Sequence, residues 1–251
     1  MASDNPMEQF AIRTLHPIVV QGYDVSFTNS SLWMVIALAI VAIFLFVGTL
    51  RPQLVPGRWQ AAVETCYDFA RGIVDENVGP GGRRYVPLIF SIFIFVLALN
   101  LLGLIPWVSA FTPTSHVAVT LALALIVFLI VCLVGFIRHG LHFLTLFWPK
   151  GMSPVLAIVI MPIEVISFLA RPFTLAIRLF ANMTAGHVLL KVFGTFVVAL
   201  GSFGALPYVF GVVPLAVNVA LAALELLIAV IQAYVFALLA SIYLNDAINL
   251  H

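Results

Sequence analysis

The sequence predicts an all-α protein whose helices lie mostly within a lipid bilayer. Hydrophobic residues make up 63% of its 251 positions and charged residues only 8%, whereas a water-soluble domain keeps roughly a quarter of its residues charged. Three runs without charge, residues 31–50, 86–105 and 117–137, are each long enough to cross roughly 30 Å of hydrocarbon. We therefore expect about five or six membrane helices in a single membrane domain, residues 1–251, that begins with a polar segment over residues 1–30.

Residues 58–78 differ from the charge-free runs on either side. Acidic and basic residues alternate there with apolar and aromatic ones such as Trp59 and Phe69, which is typical of an amphipathic helix at a membrane surface. A helix packed on a protein partner would show the same pattern. The sequence from Gly79 to Gly82 contains Pro80 and ends the helix in either case.

The last hundred residues, 152–248, form two apolar stretches that are too long for ordinary spans. One runs to about residue 200 and the other from Pro207 to about residue 245. Forty to fifty helical residues extend roughly 60–75 Å, about twice the hydrocarbon thickness. Each stretch therefore either folds back on itself or forms one long, strongly tilted helix, and the prolines allow both.

The distribution of basic residues predicts the orientation in the membrane. Seven lie on one side, against only Arg13 on the other: Arg51, Arg58, Arg71, Arg83, Arg84, Arg138 and Lys150. Because cytoplasmic loops are enriched in Lys and Arg, this asymmetry predicts an external N-terminus and a cytoplasmic C-terminus. The net charge is only +1 and no basic run occurs, which argues against nucleic acid as a partner.

Ionisable and amide side chains interrupt the two long stretches at regular intervals. An ionisable group at the bilayer centre costs at least about 2.5–3.5 kcal/mol, so each needs a physical reason. Arg171 and Lys191 have long side chains that can reach an interface. The spacing of seven residues places the members of each of two groups on one helix face: Glu164, Arg171 and Arg178, and then Asn218, Glu225 and Gln232.

The types of residue favour a water-filled path over a packing seam. Seams between membrane helices usually consist of small residues and not of glutamate. Asn182 stays near the face of Arg178, whereas His187 falls about 180° away, toward where a paired helix would lie. Histidine and carboxylates exchange protons, but arginine keeps its proton and can act only as a barrier and as an attraction for a carboxylate. The pattern predicts transport of a small cation, with a carrier carboxylate on another subunit.

A ten-residue motif resembles a known family signature. The run from Arg178 to His187, Arg-Leu-Phe-Ala-Asn-Met-Thr-Ala-Gly-His, is similar to that of subunit a of the F-type ATP synthases, and the runs Ser26–Asn29 and Asn100–Pro106 extend the similarity over the whole chain. Ala181 stands where the family usually has glycine. Other members carry an acid near Gly103. This chain lacks that acid, so no proton role is assigned to the position.

The resemblance implies two long, tilted C-terminal helices that form a hairpin against a ring of c subunits. Arg178 would be the essential barrier arginine facing the ring. The half-channel from the periplasm would contain Asn182, His187, Glu225 and Gln232, with Glu164 in the cytoplasmic half-channel and secondary roles for Asn218 and Arg171. In some members the residues at 187 and 225 are exchanged, and this chain has the arrangement also found in mitochondrial relatives.

The resemblance further implies a non-catalytic subunit without a cofactor or metal. Its partners would be the c-subunit ring, b-type peripheral stalk subunits and lipid, with the catalytic head reached indirectly. The expected location is the bacterial inner membrane, with the mitochondrial inner membrane as the alternative. The transported ion is expected to be the proton, to which His187 points, with sodium as the alternative.

Two other classes of protein remain as alternatives. One is a self-contained, proton-coupled secondary transporter, although such proteins usually show two related halves and this sequence shows none. The other is an intramembrane metalloprotease. Its only support is the pair His139 and His142, which has no accompanying acid.

Overall fold

The computed structural model describes residues 11–17, 19–20, 23–24, 26–105, 112–147, 154–201 and 207–249. Within these ranges the chain forms the following α-helices: α1 Asn29–Thr49, α2 Arg58–Asn77, α3 Val86–Gly103, α4 Val117–His139, α5 Pro154–Gly201 and α6 Pro207–Ile248. All but α2 contain stretches long and apolar enough to cross a membrane. The predicted all-α, polytopic membrane architecture is confirmed.

Short 3-10 helices connect several of these elements. They cover Pro80–Tyr85 before α3, Pro113–Ser115 before α4 and Gly140–Phe147 after it. The α-helix α2 ends where Gly79 adopts a φ of 75°, a left-handed conformation that glycine reaches without steric cost.

The segment before α1 contains short strands, which the sequence analysis did not predict. β1 (Thr14–His16) pairs antiparallel with β4 (Phe27–Thr28), and β2 (Val19–Val20) with β3 (Tyr23–Asp24). Asn29 fastens this segment to α1, because its side-chain oxygen accepts hydrogen bonds from the backbone N–H groups of Arg13 and Ser30.

The amphipathic helix α2 packs part of its apolar side against helices of its own chain. Phe69 contacts Phe93 of α3 and Tyr234 of α6, with ring centroids 5.2 Å and 5.6 Å apart. Ser241 of α6 donates a hydrogen bond of 3.5 Å to the carbonyl of Ile73. Val63, Ala70, Ile73 and Val74 are buried, whereas Trp59 and Phe69 are 64% and 44% exposed, so only part of the apolar side of α2 is used within the chain.

Each of the two long C-terminal stretches is one continuous helix. α5 has 48 residues and α6 has 42, which corresponds to lengths of about 72 Å and 63 Å. Pro162 and Pro172 lie inside α5 and Pro214 inside α6 without ending either helix. The apolar part of α5 alone, Ile160–Ala199, measures about 60 Å. Such a helix fits within a bilayer only when it is steeply inclined.

The chain divides into two compact units. The first comprises Met1–Ile43, Phe95–His116 and Leu179–Ala233, and the second Phe44–Ile94, Val117–Arg178 and Tyr234–His251. The single membrane domain expected from the sequence stays a prediction.

The cores of the two units differ in polarity. In the second unit the largest buried side chains are apolar, among them Val74, Ile89, Phe143, Leu175 and Phe236. The nine buried polar residues among those described are distributed unevenly, since only Thr120 and Ser241 belong to the second unit. The other seven lie in the first: Ser30, Asn100, Thr112, Thr114, Ser115, Glu225 and Gln232.

Candidate functional site

In the first unit, α5 and α6 run antiparallel and meet through polar side chains. Asn182 of α5 donates a hydrogen bond of 2.9 Å from its amide nitrogen to Oε1 of Gln232 in α6. Further along α5, Nδ1 of His187 lies 3.2 Å from Oε1 of Glu225. As residue numbers rise along α5 they fall along α6, so the two helices form the predicted hairpin. Glu225 and Gln232 were predicted to share one face of their helix, and both contact α5.

The His187–Glu225 contact is almost completely shielded from outside. The side chain of His187 is 11% exposed and that of Glu225 is 2% exposed. Gly186 makes this close approach possible, because a Cβ atom there would lie 2.7 Å from Oε1 of Glu225. The predicted orientation of His187 toward a paired helix is confirmed. When an imidazole and a carboxylate are buried side by side, the cost of burying each is lowered and one exchangeable proton stays available to the pair.

The turn that precedes α4 supplies a residue that the sequence analysis missed. Oγ1 of Thr112 lies 2.9 Å from Nε2 of His187, so both ring nitrogens of the histidine have a polar neighbour. The hydroxyl donates when Nε2 lacks a proton and accepts when Nε2 carries one. Thr184, three residues before His187, donates a 3.4 Å hydrogen bond to the carbonyl of Ser115 and anchors the same turn to α5.

Thr112 reaches His187 because Gly103 at the end of α3 leaves space for it. A Cβ atom at Gly103 would collide with the Thr112 side chain. This explains physically why an acid is absent at that position, as the sequence analysis noted. The 75 residues that separate Thr112 from His187 account for the failure to find the pair, since no spacing rule connects a loop to a distant helix.

Several buried polar atoms of the first unit have no hydrogen-bond partner among the described residues. They are Ser30 Oγ, Asn100 Oδ1, Thr114 Oγ1, Ser115 Oγ, Asn218 Oδ1, both carboxyl oxygens of Glu225 and Gln232 Nε2. The His187–Glu225 contact is thus close but not aligned as a hydrogen bond. Buried polar groups are normally satisfied by protein or by water. This concentration of unsatisfied oxygens and nitrogens makes the interior of the first unit suited to a chain of water molecules.

The second unit holds the remaining predicted residues in a different arrangement. Nη1 of Arg171 donates a 2.7 Å hydrogen bond to Oδ2 of Asp246, and the guanidinium lies 4.9 Å from the ring centre of Tyr243. Glu164 is half-buried and, among the described residues, pairs with neither arginine of its predicted face. Arg171 is therefore fixed by Asp246, a partner that the sequence analysis did not identify.

Arg178 is exposed, although it lies near the middle of the apolar stretch Ile160–Ala199. Within the part of the chain that the structure describes, its guanidinium forms no hydrogen bond or ion pair. Four residues further along α5, Asn182 is also exposed. A permanent cation on the outside of an apolar helix is costly unless another molecule supplies an anion.

Comparison with known proteins identifies the family to which this arrangement belongs. Residues 31–245 match the family model described as "ATP synthase A chain". The chain belongs to the ATP synthase A chain family.

Bacterial members of the ATP synthase A chain family match over nearly their whole length. A protein named ATP synthase subunit a from Paramagnetospirillum magneticum is 52% identical, with 98% of this chain and 99% of the relative covered. A protein of the same name from Rhodospirillum rubrum is 49% identical, with 98% of this chain and 99% of the relative covered. The one from Zymomonas mobilis is 51% identical, with 100% of both chains covered. The family resemblance inferred from the motif Arg178–His187 is confirmed, and this family member is a bacterial-type membrane protein.

The geometry also bears on the metalloprotease alternative. Nε2 of His139 donates a 2.9 Å hydrogen bond to the carbonyl oxygen of Ile248. This hydrogen bond engages only one ring nitrogen, and among the described residues no group of three His, Cys, Asp or Glu side chains is placed to hold a metal ion. His139 therefore has a structural role, because its hydrogen bond connects the end of α4 to the end of α6.

Proposed function

We propose that this chain is the stator subunit of the membrane sector of an F-type ATP synthase and passes protons to and from a rotating ring of c subunits. The observation that carries the proposal is the exposed Arg178 at the middle of a membrane-length apolar helix. Its cost in lipid is offset when carboxylates of a neighbouring subunit pass in front of it. Membership of the family supports this assignment.

The periplasmic half-channel runs through the first unit. Its proton-carrying pair is His187 and Glu225, which are 3.2 Å apart. The unsatisfied polar atoms around them support a water-filled approach, and Asn182, linked to Gln232, leads outward to the exposed side of α5. Asn218 contributes a buried amide oxygen to the same interior.

The cytoplasmic half-channel contains Glu164 in the second unit. This carboxylate is half-buried, and among the described residues no partner fixes it. Arg171 is held by Asp246 and acts on the local field without moving a proton.

Arg178 separates the two half-channels because it never releases its proton. A proton relay needs groups that titrate, and the guanidinium does not titrate under ordinary conditions. Its fixed charge instead favours the ionised form of a ring carboxylate passing in front of it. Protons must therefore leave by the ring, which couples their flow to rotation.

The chain itself carries out no bond chemistry in this assignment. ATP synthesis and hydrolysis take place in the catalytic head, which is reached through the c ring and b-type peripheral stalk subunits. The asymmetry of the basic residues supports a periplasmic N-terminus and a cytoplasmic C-terminus in the bacterial inner membrane.

Reconstitution into vesicles tests the assignment. The purified chain alone should give no proton flux above that of empty vesicles, whereas the assembled complex should acidify the vesicles when ATP is added. Varying sodium at fixed pH should leave the rate of the complex unchanged. Sustained flux by the isolated chain would instead identify a self-contained transporter.

A further inference from the structure

A basic cavity in the second unit lies apart from the residues of the proton path. It has a volume of about 720 Å³, opens to the outside and is lined by Gly81, Arg84, Tyr85, Val134, Ile137 and Arg138. The first three belong to the segment that leads into α3 and the others to the last turns of α4. The cavity therefore lies where two membrane-length helices end on the same side. Its size falls within the range of ordinary ligand sites.

The two arginines of this cavity have no carboxylate partner in the part of the chain that the structure describes. Among the described residues, Arg71 and Arg83 both contact Asp75, and Arg171 contacts Asp246. Neither Arg84 nor Arg138 has such a contact, and no acidic side chain lines the cavity. Two cations that share one concave site repel each other, so an anion bound between them is strongly favoured.

The guanidinium of Arg84 lies over the ring of its neighbour Tyr85. Its central carbon lies 4.7 Å from the centre of the Tyr85 ring, and this cation–π contact limits the rotation of a side chain that otherwise has many conformers. A pre-positioned planar group with several N–H donors suits the oxygens of a phosphate, which it can bind with two parallel hydrogen bonds.

The remaining wall of the cavity is apolar and continues along α4. Val134 and Ile137 line it, and Ile137 is 77% exposed. Leu129 and Leu133 on the same helix are also exposed, at 63% and 59%. A ligand that places an anionic group at the arginines can thus lay a hydrocarbon chain along this surface. A small soluble anion would leave the apolar wall unused.

We propose that the cavity formed by Arg84, Tyr85 and Arg138 with the exposed side of α4 binds the phosphate group of an anionic phospholipid and one of its acyl chains. Basic pockets between membrane helices are suited to such headgroups. The site is independent of the proton path, because none of its lining residues belongs to the half-channels. Its occupant holds the ends of α3 and α4 together where protein side chains leave two cations uncompensated.

Photochemical labelling of the assembled complex tests this site. The complex is reconstituted in phosphatidylcholine vesicles that contain either phosphatidylglycerol or phosphatidylcholine with a photoreactive acyl chain. Adducts on the α4 peptide that contains Leu133 and Ile137 are then measured. We expect phosphatidylglycerol to label this peptide more strongly than phosphatidylcholine does.

Three variants separate a specific site from general surface charge. Arg84→Gln and Arg138→Gln should each reduce the phosphatidylglycerol adduct about fivefold, which is the effect of one basic residue near an anionic membrane surface. Arg83→Gln is the matched control, since Arg83 is the sequence neighbour of Arg84 but contacts Asp75 and does not line the cavity. Arg84→Lys combined with Arg138→Lys keeps both charges and should keep most of the adduct.

Several results would overturn the proposal. Equal labelling by the two lipids would show that the headgroup charge is not recognised, and an equal loss in Arg83→Gln would reduce the effect to surface charge. Complete suppression of labelling by inorganic phosphate present during irradiation would identify a site for small anions. A peptide left unlabelled by both lipids would mean that another subunit covers the cavity.

Discussion

At the scale of single residues, the buried pair His187 and Glu225 shows how the chain makes a titratable site inside lipid. Burying either group alone in a medium of low dielectric constant is costly, and their contact at 3.2 Å lowers that cost for both. The sequence predicted that His187 lies toward a paired helix, because its angular position on α5 is about 180° from that of Arg178. It did not predict Thr112, Asp246 or Asn100, because their partners lie 75 or more residues away along the chain.

Exchanging the two members of this pair tests whether they act together. His187→Glu alone places two carboxyl groups in contact, and Glu225→His alone places two imidazoles in contact. Each single change leaves a buried group uncompensated, at a cost of about 3–5 kcal/mol, and should abolish most ATP-driven pumping. The double exchange restores a carboxylate beside an imidazole and should recover a clear part of the rate. A double exchange no better than the worse single variant would indicate two independent sites.

Thr112 offers a second test at the residue scale. Thr112→Val keeps the shape of the side chain but removes the hydroxyl that contacts Nε2 of His187. Loss of one hydrogen bond is worth about 0.5–1.5 kcal/mol, so pumping should fall about twofold to tenfold. Thr112→Ser keeps the hydroxyl and serves as the control. Equal rates in both variants would show that the contact has no part in transport.

At the scale of elements, the sequence predicted which segments form membrane helices more readily than it predicted whether a long segment stays one helix or folds back. Long runs without charge predicted the spans, because a membrane permits few other structures. Composition did not decide whether the two C-terminal stretches fold back. Proline interrupts some helices, but it is also tolerated within membrane helices. The strands β1 to β4 were missed because each has only two or three residues, too few to show an alternating pattern.

The crossing of α5 and α6 depends on the absence of a side chain at Gly186. In Gly186→Ala the new Cβ would lie 2.7 Å from Oε1 of Glu225, so the carboxylate must move away from His187. Overpacking of this kind costs about 1–3 kcal/mol, and pumping should fall at least about fivefold. In Gly194→Ala on the same helix, the nearest contact is an ordinary 3.8 Å to Asn218. This control should pump normally, and an equal loss in both variants would assign the effect to helix stiffness.

At the scale of the whole molecule, the polar interior of the first unit and the mainly apolar core of the second divide the proposed path into two parts. On the predicted face containing Glu164, Arg171 and Arg178, the structure pairs Arg171 with Asp246 and leaves Arg178 exposed. Helical spacing showed which residues share a face. It did not show which of these charged residues would form an ion pair with a residue of another helix.

Glu164→Gln tests the cytoplasmic part of the path. The change removes the titratable group and keeps the shape of the side chain, so the complex should assemble normally. Transport should slow by a measurable factor at every pH, since water near the surface replaces the carboxylate only in part. The turnover of ATP-driven pumping would be measured across a pH series. Turnover identical to that of the parent would exclude Glu164 from the path, because the structure pairs Arg171 with Asp246 and leaves no ion-pair role as explanation.

Arg178→Ala tests the barrier on which coupling depends. Without the fixed cation, water can connect the two half-channels, and a proton falling through 100 mV dissipates about 2.3 kcal/mol without turning the ring. The variant should assemble, lose both ATP-driven acidification and ATP synthesis, and make the vesicles passively permeable to protons. Lys191→Ala removes another cation from the same helix and should keep coupled pumping, which controls for the loss of charge. Normal coupled pumping by Arg178→Ala would refute the assignment of the barrier, whereas loss of pumping without a leak would limit Arg178 to attracting the ring carboxylate.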